Sequence, residues 1–356
     1  TPMFAPAATS KRVYAFGRDG ADGSAKDKAL LGGKGANLAE MTRLGLPVPP
    51  GFTVTCDVCR EFYDAGQRLP EGLEAEMKAA LSKVEAETGM TFGDPKNPLL
   101  VSVRSGAAIS RPGMMDTFLI LGLNDAAVAG IAKRSGDARF AWDSYRRFIS
   151  MYGEVVLGLK PESEHAPNPF EAALSQIKRT EDVESDAELS AAALEKLAKA
   201  YKRTIKELTG QAFPEDPWTQ LNGATAAVFR SWNNNRAQAY RDINNIPADI
   251  GTAVTVQAMV FGNLGDDCAT GVCFTRDPNT GERRFFGEYL VNAQGEDVVA
   301  GIRTPLPINS ESGAGTQQTL QKVMPEAYEE LDGVRQQLEK HYRDMQDIEF
   351  TIQQKK

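Results

Sequence analysis

The stretch Leu99–Thr117, LLVSVRSGAAISRPGMMDT, decides how the rest of this chain is read. Leu99, Leu100, Val101 and Val103 form a short apolar run with β-branched members behind Asn97-Pro98, a pattern that predicts a buried strand. Arg104 follows at its C-terminal end. Ser105, Gly106 and the Pro112-Gly113 pair permit tight turns in which backbone N–H groups can point at an anion, and the planar Arg104 guanidinium can grip two phosphate oxygens together. An arginine paired with a surface carboxylate fits these residues equally well.

Upstream, LLGGKGANLAEM (residues 30–41) places Lys34 in a glycine loop leading into a helix expected from near Ala36 or Asn37. There the ammonium and the helix N-terminus can face one anion. The spacing is not that of an ordinary P-loop, because no Gly-Lys-Ser/Thr follows a four-residue gap, and a turn with a solvated lysine would look similar. Leu73, Met77, Leu81 and Val84 repeat at helical spacing and stop at Gly89, so Lys11 to Asn124 reads as mixed α and β.

Downstream, Asp125 to about Trp232 is helical. One stripe runs through Tyr145, Phe148, Ile149, Tyr152, Val155 and Val156, another through Leu194, Leu197, Tyr201, Ile205 and Leu208, with a polar loop region and one short helix over Lys160 to Asp186. After Gly251 the period changes to two in TAVTVQAMVFG, TGVCFT and RRFFGEYLVN, which predicts one antiparallel sheet. Gln257, Met259 and Val260 end the first of these strands just before Phe261-Gly262, where a chain can bend between lobes and read an adenine edge. A buried strand is the plainer account of VQAMV. Glu296, after Gly295, is either a carboxylate facing a metal-bound phosphate or a turn-stabilising surface acid.

A long helix is expected from Pro325 to Met345, with Tyr328, Leu331, Val334, Leu338, Tyr342 and Met345 inward, before a last strand, DIEFTI. In that strand Ile348, Phe350 and Ile352 alternate with Asp347, Glu349 and Thr351, so two carboxylates project from one face. They form a magnesium platform, or the wet face of an edge strand. Residues two apart on a strand are about 6.5 to 7 Å apart. Mg–O bonds are about 2.1 Å, so one carboxylate is expected to bind directly and the other through water or a second ion.

With 356 residues and a net charge of −8, the chain is long enough for two or three subdomains and lacks the overall basic character of a dedicated nucleic-acid binder. No apolar run reaches the roughly 18 residues of a membrane helix, and the start shows no hydrophobic signal core. Cys56 and Cys59 lie at helical spacing, and with Cys268 and Cys273 read as buried thiols of a reducing compartment rather than as zinc ligands. His165 and His341, the only histidines, both sit in polar surroundings and read as solvated.

Taken in order, LLGGKGANLAEM, SVRSGAAISRPGMMDT, FAWDSYRRF, GTAVTVQAMVFGN, TGVCFTRDP, GEYLVNAQGEDVVAGIRTP and QDIEF resemble the N-terminal nucleotide-binding domain of the pyruvate, phosphate dikinase family. The resemblance implies an α+β, ATP-grasp fold. Residues 1–124, with 211–250 returning to it, would form the first lobe, 125–210 a helical insertion subdomain, and 251–356 the second lobe with its antiparallel sheet. It further implies that Lys34 and Arg104 hold the ATP phosphates and are the catalytic pair, that Gly113 to Thr117, including Met115 and Asp116, wrap the nucleotide, and that Gln257, Met259 and Val260 form the adenine hinge. Glu296, Asp347 and Glu349 would face Mg²⁺ and the polyphosphate.

In that family ATP gives its β and γ phosphates together to a histidine on a swivelling domain of the same polypeptide, releasing AMP. The γ phosphate passes to inorganic phosphate, and the phosphohistidine phosphorylates pyruvate. The chain ends before the family's Leu-Gln-Thr-Arg strand and lacks its histidine segment, so a fragment unable to turn over alone is expected, from an enzyme that is homodimeric at full length. No nucleic-acid or membrane partner is expected, and the location is cytoplasmic by default, with a plastid or other organelle open. Two other readings stand beside this one: a water dikinase of the phosphoenolpyruvate synthase or glucan water dikinase type, or a nucleotide-sensing module without chemistry. Pro112-Gly113-Met114-Met115-Asp116-Thr117 speaks against the first, because phosphoenolpyruvate synthases resemble Ala-Gly-Gln-Gln followed by an acid and threonine there.

Overall fold

The computed structural model describes residues 11–109, 115–159, 161, 168–299, 303–313 and 318–356, so Gly113 and His165 lie outside the described residues. The chain divides into two compact units between Met259 and Val260. Each mixes helices with an antiparallel sheet, which makes the fold α+β, as expected of an ATP-grasp-type domain.

The sheet of the first unit is built from β1 (Val13–Gly17), β2 (Gly20–Ala21), β3 (Gly51–Val54), β4 (Val101–Gly106), β5 (Thr117–Leu121) and β6 (Ala253–Ala258), in the order β2-β1-β3-β6-β4-β5. This corrects the reading of TAVTVQ as the first strand of the late sheet. β6 lies between β3 and β4, with Val254 opposite Val54, and Val256 opposite both Phe52 and Val103. Alternation reveals a strand but not its partners, and these partners lie roughly 150 and 200 residues back in the chain. The second unit accordingly begins at Val260 rather than at Gly251.

The register divides the chemistry of this sheet between its faces. Phe52, Val54, Val103, Phe118, Val254 and Val256 share one face and are buried. The other face carries Thr53, Thr255, Ser102, Gln257 and Arg104. α1 (Lys28–Arg43) covers part of this polar face, since a Cβ added to Gly35 would lie 2.9 Å from the Thr53 side chain. α2 (Cys56–Asp64) holds Cys56 and Cys59 buried as the helical spacing predicted. α3 (Leu73–Thr88) buries Leu73, Met77, Leu81 and Val84 and stops at Gly89, whose φ of +68° only glycine adopts without cost.

Four helices follow: α4 (Asp125–Ser135), α5 (Ala138–Val155), α6 (Pro169–Glu181) and α7 (Ala191–Thr209). The α5 and α7 stripes pack together, with Val155 and Val156 only half-buried and Leu208, in the last turn of α7, 57% exposed. The segments entering and leaving these helices are tied together. Asn124 Nδ2 donates to the Glu215 carbonyl at 2.9 Å and the Asp125 N–H to the Glu215 carboxylate at 2.9 Å. Lys202 of α7 reaches Asp125 at 2.8 Å and also pairs with Glu215, while the Tyr145 hydroxyl donates to Asp125 at 2.9 Å. α8 (Pro217–Ser231) then packs on β4, β5 and β6, followed by α9 (Asn235–Asn244).

The second unit has a four-stranded sheet of β7 (Ala269–Phe274), β8 (Phe286–Val291), β9 (Leu306–Pro307) and β10 (Asp347–Ile352), in the order β10-β7-β8-β9. Its helices are α10 (Gly295–Val299), α11 (Leu320–Val323) and α12 (Pro325–Tyr342). Cys273, Tyr289, Ile308, Leu320, Leu331 and Ile352 form the core. α12 is shorter than the sequence predicts, because Arg343 adopts a left-handed conformation at φ +56° and ends it, leaving Met345 exposed.

Candidate functional site

Gly32 interrupts α1. Its φ of +69° is accompanied by an approach so close that a Cβ would fall 1.7 Å from the Gly106 carbonyl oxygen at the end of β4. The Gly33 N–H donates to the Ala107 carbonyl at 3.1 Å, which seats the glycine turn on the strand end. The helix resumes directly after Gly32, three or four residues earlier than expected, so Lys34 belongs to its first turn rather than to a loop. A Cβ on Gly106 would stand 3.6 Å from Lys34 Cβ. Lys34 is thus beside the end of the strand that carries Arg104, in the first turn of a helix, where the helix dipole favours an anion.

Arg104 is half-buried and lies opposite Thr255 on one side and Thr117 on the other. Directly opposed residues of an antiparallel pair project from the same face, so Arg104 and Thr117 stand side by side. Among the described residues, the buried Arg104 Nε has no hydrogen-bond partner and no carboxylate pairs with this guanidinium. The surface ion pair that the sequence left open is therefore absent there. An orphaned buried donor costs about 1–3 kcal/mol, a cost that an anion in this position would remove.

Thr117 is exposed, Met115 is buried, and the Asp116 N–H donates to Ser231 Oγ of α8 at 3.2 Å. Two of the three hinge candidates are engaged within the first sheet. Gln257 pairs with Gly51 and Ser102 on its two sides, and its Nε2 donates to the Pro49 carbonyl at 2.9 Å. The Met259 N–H donates to the Leu100 carbonyl at 3.0 Å, and its sulfur accepts from the Ile120 N–H at 2.9 Å. Those donors are committed to the sheet, so an adenine edge needs other backbone groups of this crossing. Val260 is half-buried at the first position of the second unit. Ile120 itself has φ +63°, a strained value for a β-branched residue, where the β4–β5 register shifts.

In the second unit the alternation of DIEFTI is realised: Asp347, Glu349 and Thr351 are exposed, while Ile348 and Phe350 are half-buried and Ile352 is buried. β10 is an edge strand. Burial, and then the neighbouring Glu349 charge, push the Asp347 carboxyl above its ordinary range. Neither carboxylate is ion-paired among the described residues, and no group of three or more potential metal-binding side chains is found among them. Two carboxylates completed by phosphate oxygens are a donor set that suits Mg²⁺, a hard ion commonly held by one or two acids and its substrate. The Glu296 side chain lies outside the described residues. The neighbouring Asp297 carboxylate accepts from the Gln294 N–H at 2.8 Å.

Two contributors escaped the sequence reading. Thr255 opposes both Thr53 and Arg104, and its hydroxyl lies 3.2 Å from that of Thr53; the threonine in each otherwise apolar strand was the available signal. The contact of Gly32 with Gly106 left none, since GGKG does not say which glycine touches what.

A family profile described as "Pyruvate phosphate dikinase, AMP/ATP-binding domain" matches residues 28–69 and 65–312. The chain belongs to the pyruvate phosphate dikinase AMP/ATP-binding domain family. Within that family it is similar to the pyruvate, phosphate dikinase of Rhizobium meliloti (strain 1021), 54% identical over 98% of this chain and 38% of the relative. It is also similar to the chloroplastic pyruvate, phosphate dikinase 1 of Arabidopsis thaliana, 52% identical over 100% and 36%, and to the enzyme of Clostridium symbiosum, 51% identical over 98% and 38%. The chain thus spans little more than a third of the relatives it matches. No helix among the described residues is long and apolar enough to cross a membrane.

Proposed function

We propose that this chain is the ATP-binding, phosphoryl-donating part of a pyruvate, phosphate dikinase, an enzyme that converts ATP, phosphate and pyruvate to AMP, diphosphate and phosphoenolpyruvate. Lys34 and Arg104 hold the ATP phosphates, with Thr117 and its neighbours beside them. Asp347 and Glu349, with Glu296, hold Mg²⁺, which neutralises polyphosphate charge when bound. A histidine on a swivelling domain of the same polypeptide attacks the β phosphorus. The bond from that phosphorus to its α-bridging oxygen breaks, AMP leaves, and the β,γ-diphosphoryl group remains on the histidine. Phosphate then takes the γ group as diphosphate, leaving a phosphohistidine for pyruvate. Such transfers depend on positioning and charge neutralisation, which is what cations at a helix start and strand end supply.

The observation that carries this reading is the orphaned Arg104 Nε beside the glycine turn that seats Lys34 on the end of β4. Equilibrium binding of Mg-ATP tests it. Arg104→Ala is expected to weaken binding by about 10² or more while leaving the circular-dichroism spectrum unchanged. Unaltered affinity in that variant would refute the assignment.

A further inference from the structure

A groove of about 690 Å³ opens in the second unit between the β7–β8 turn and the C-terminal half of α12. Arg276, Arg283, Arg335, Lys340 and Arg343 line it, against two carboxylates, Glu339 and Asp344, in a chain whose net charge is −8. Both acids are already engaged. Glu339 is 2.8 Å from Arg276 and 3.6 Å from Arg283, and Asp344 accepts from the Met345 N–H at 2.8 Å. Arg335 gives one edge to Asp332 at 2.7 Å and rests 5.0 Å from the Phe285 ring centre. Lys340 and Arg343 have no ion-pair partner among the described residues, so positive charge is left over within a concave surface.

Cations near a helix C-terminus offset its dipole, and that alone explains Lys340 and Arg343. It does not explain Arg276 and Arg283, which come from the opposite wall. That wall is braced: the Gly281 N–H donates to the Asp277 carbonyl at 2.8 Å, the Asn279 N–H to the Asp277 carboxylate at 2.8 Å, and Arg276 Nη1 to the Gly281 carbonyl at 3.4 Å. α12 packs on the face bearing Cys273, Ile348 and Ile352, whereas Asp347 and Glu349 project from the other face of β10. The groove is therefore separate from the carboxylate platform.

We propose that this groove is an anion site for a compact oligophosphate, a diphosphate or longer. Guanidinium groups on facing walls match several phosphate oxygens at once, and concavity suits a small polyanion better than a broad acidic protein surface. The inference does not rest on the function proposed above.

Calorimetric titration of the whole chain with sodium diphosphate and with tripolyphosphate, in EDTA to remove divalent cations, tests it. Both anions are expected to keep a binding component in Arg104→Ala, and that component is expected to weaken at least about tenfold when the Lys340→Glu/Arg343→Glu double variant is added to it. Both altered side chains are exposed, and an unchanged circular-dichroism melt would verify the fold. Absence of binding at millimolar anion overturns the proposal, as does binding lost in Arg104→Ala but kept in the double variant. Displacement of tripolyphosphate by a poly-glutamate peptide at lower concentration overturns it too, assigning the groove to an acidic polypeptide.

Discussion

Gly32 and Gly106 meet backbone to backbone, with no room between them for a single methyl group. This contact fixes where the helix carrying Lys34 starts relative to the strand carrying Arg104. Gly32→Ala meets two obstacles, a left-handed φ and a carbonyl 1.7 Å from the new carbon. The expected loss is about 2 kcal/mol or more. Denaturant melts should show it, and Mg-ATP affinity should fall further than stability explains, because the turn must shift to accept the methyl.

Asp347 should behave as a group held for a ligand at the expense of the free protein. Its folded pKa is raised by burial and by Glu349, so its charge destabilises the metal-free chain once pH rises through that value, and the penalty is absent below the ordinary value of 3.8. Asp347→Asn should raise the melting temperature at pH 7 without Mg²⁺, and this gain should vanish under strong acid. The same variant should lose the stabilisation that Mg-ATP gives the unaltered chain.

Lys202 pins the crossing into the helices to the crossing out. Burial alone would raise the Asp125 carboxyl, but Lys202 and Tyr145 outweigh it and hold it low; burial alone would lower the Lys202 ammonium, but Asp125 and Glu215 hold it high. Stability from the pair is present above the usual 3.8 of the acid and below the usual 10.5 of the lysine. It fades as pH falls through the lowered acid value or rises through the raised lysine value. Lys202→Met should therefore melt earlier than the unaltered chain between those limits, and the gap should close in acid. Heat denaturation followed across pH measures this.

The thiols should be inert in the folded chain. Burial pushes Cys56 up to about 12, Cys59 to about 11 and Cys273 to about 12, so almost no thiolate exists near neutral pH. A disulfide-exchange reagent at pH 8 should modify these three only slowly until denaturant is added, after which all four cysteines should react at once.

How much of this was legible in the sequence depended on whether a feature was local. The stripe of α3 and its glycine stop, the inward faces of α5 and α7, and the alternation in DIEFTI all depend on neighbours within a few residues, so periodicity was enough. The membership of β6 depends on strands far back in the chain, and the pattern TAVTVQ reads the same in either sheet. Arg104 was visible as a cation after a strand, but its unsatisfied Nε required knowing that no acid among the described residues pairs with it. That the Met259 N–H is engaged by the Leu100 carbonyl was not legible either, because Leu100 lies in a distant segment. The inward placement of Met345 was misjudged because the left-handed Arg343 ends the helix first.

The knot of Asn124, Asp125, Lys202 and Glu215 brings the two ends of a ninety-residue excursion within hydrogen-bond reach of each other. A host sheet that receives its chain back where it let it go needs nothing from the far ends of what was spliced between, only the surfaces that rest on it: α5 against β5, Tyr152 of α5 against Gly223 of α8, and Gly130 of α4 against the Pro95 carbonyl. Length and charge on the outward sides of the four helices are therefore free to change, whereas cutting the excursion out whole would strip the cover from β5.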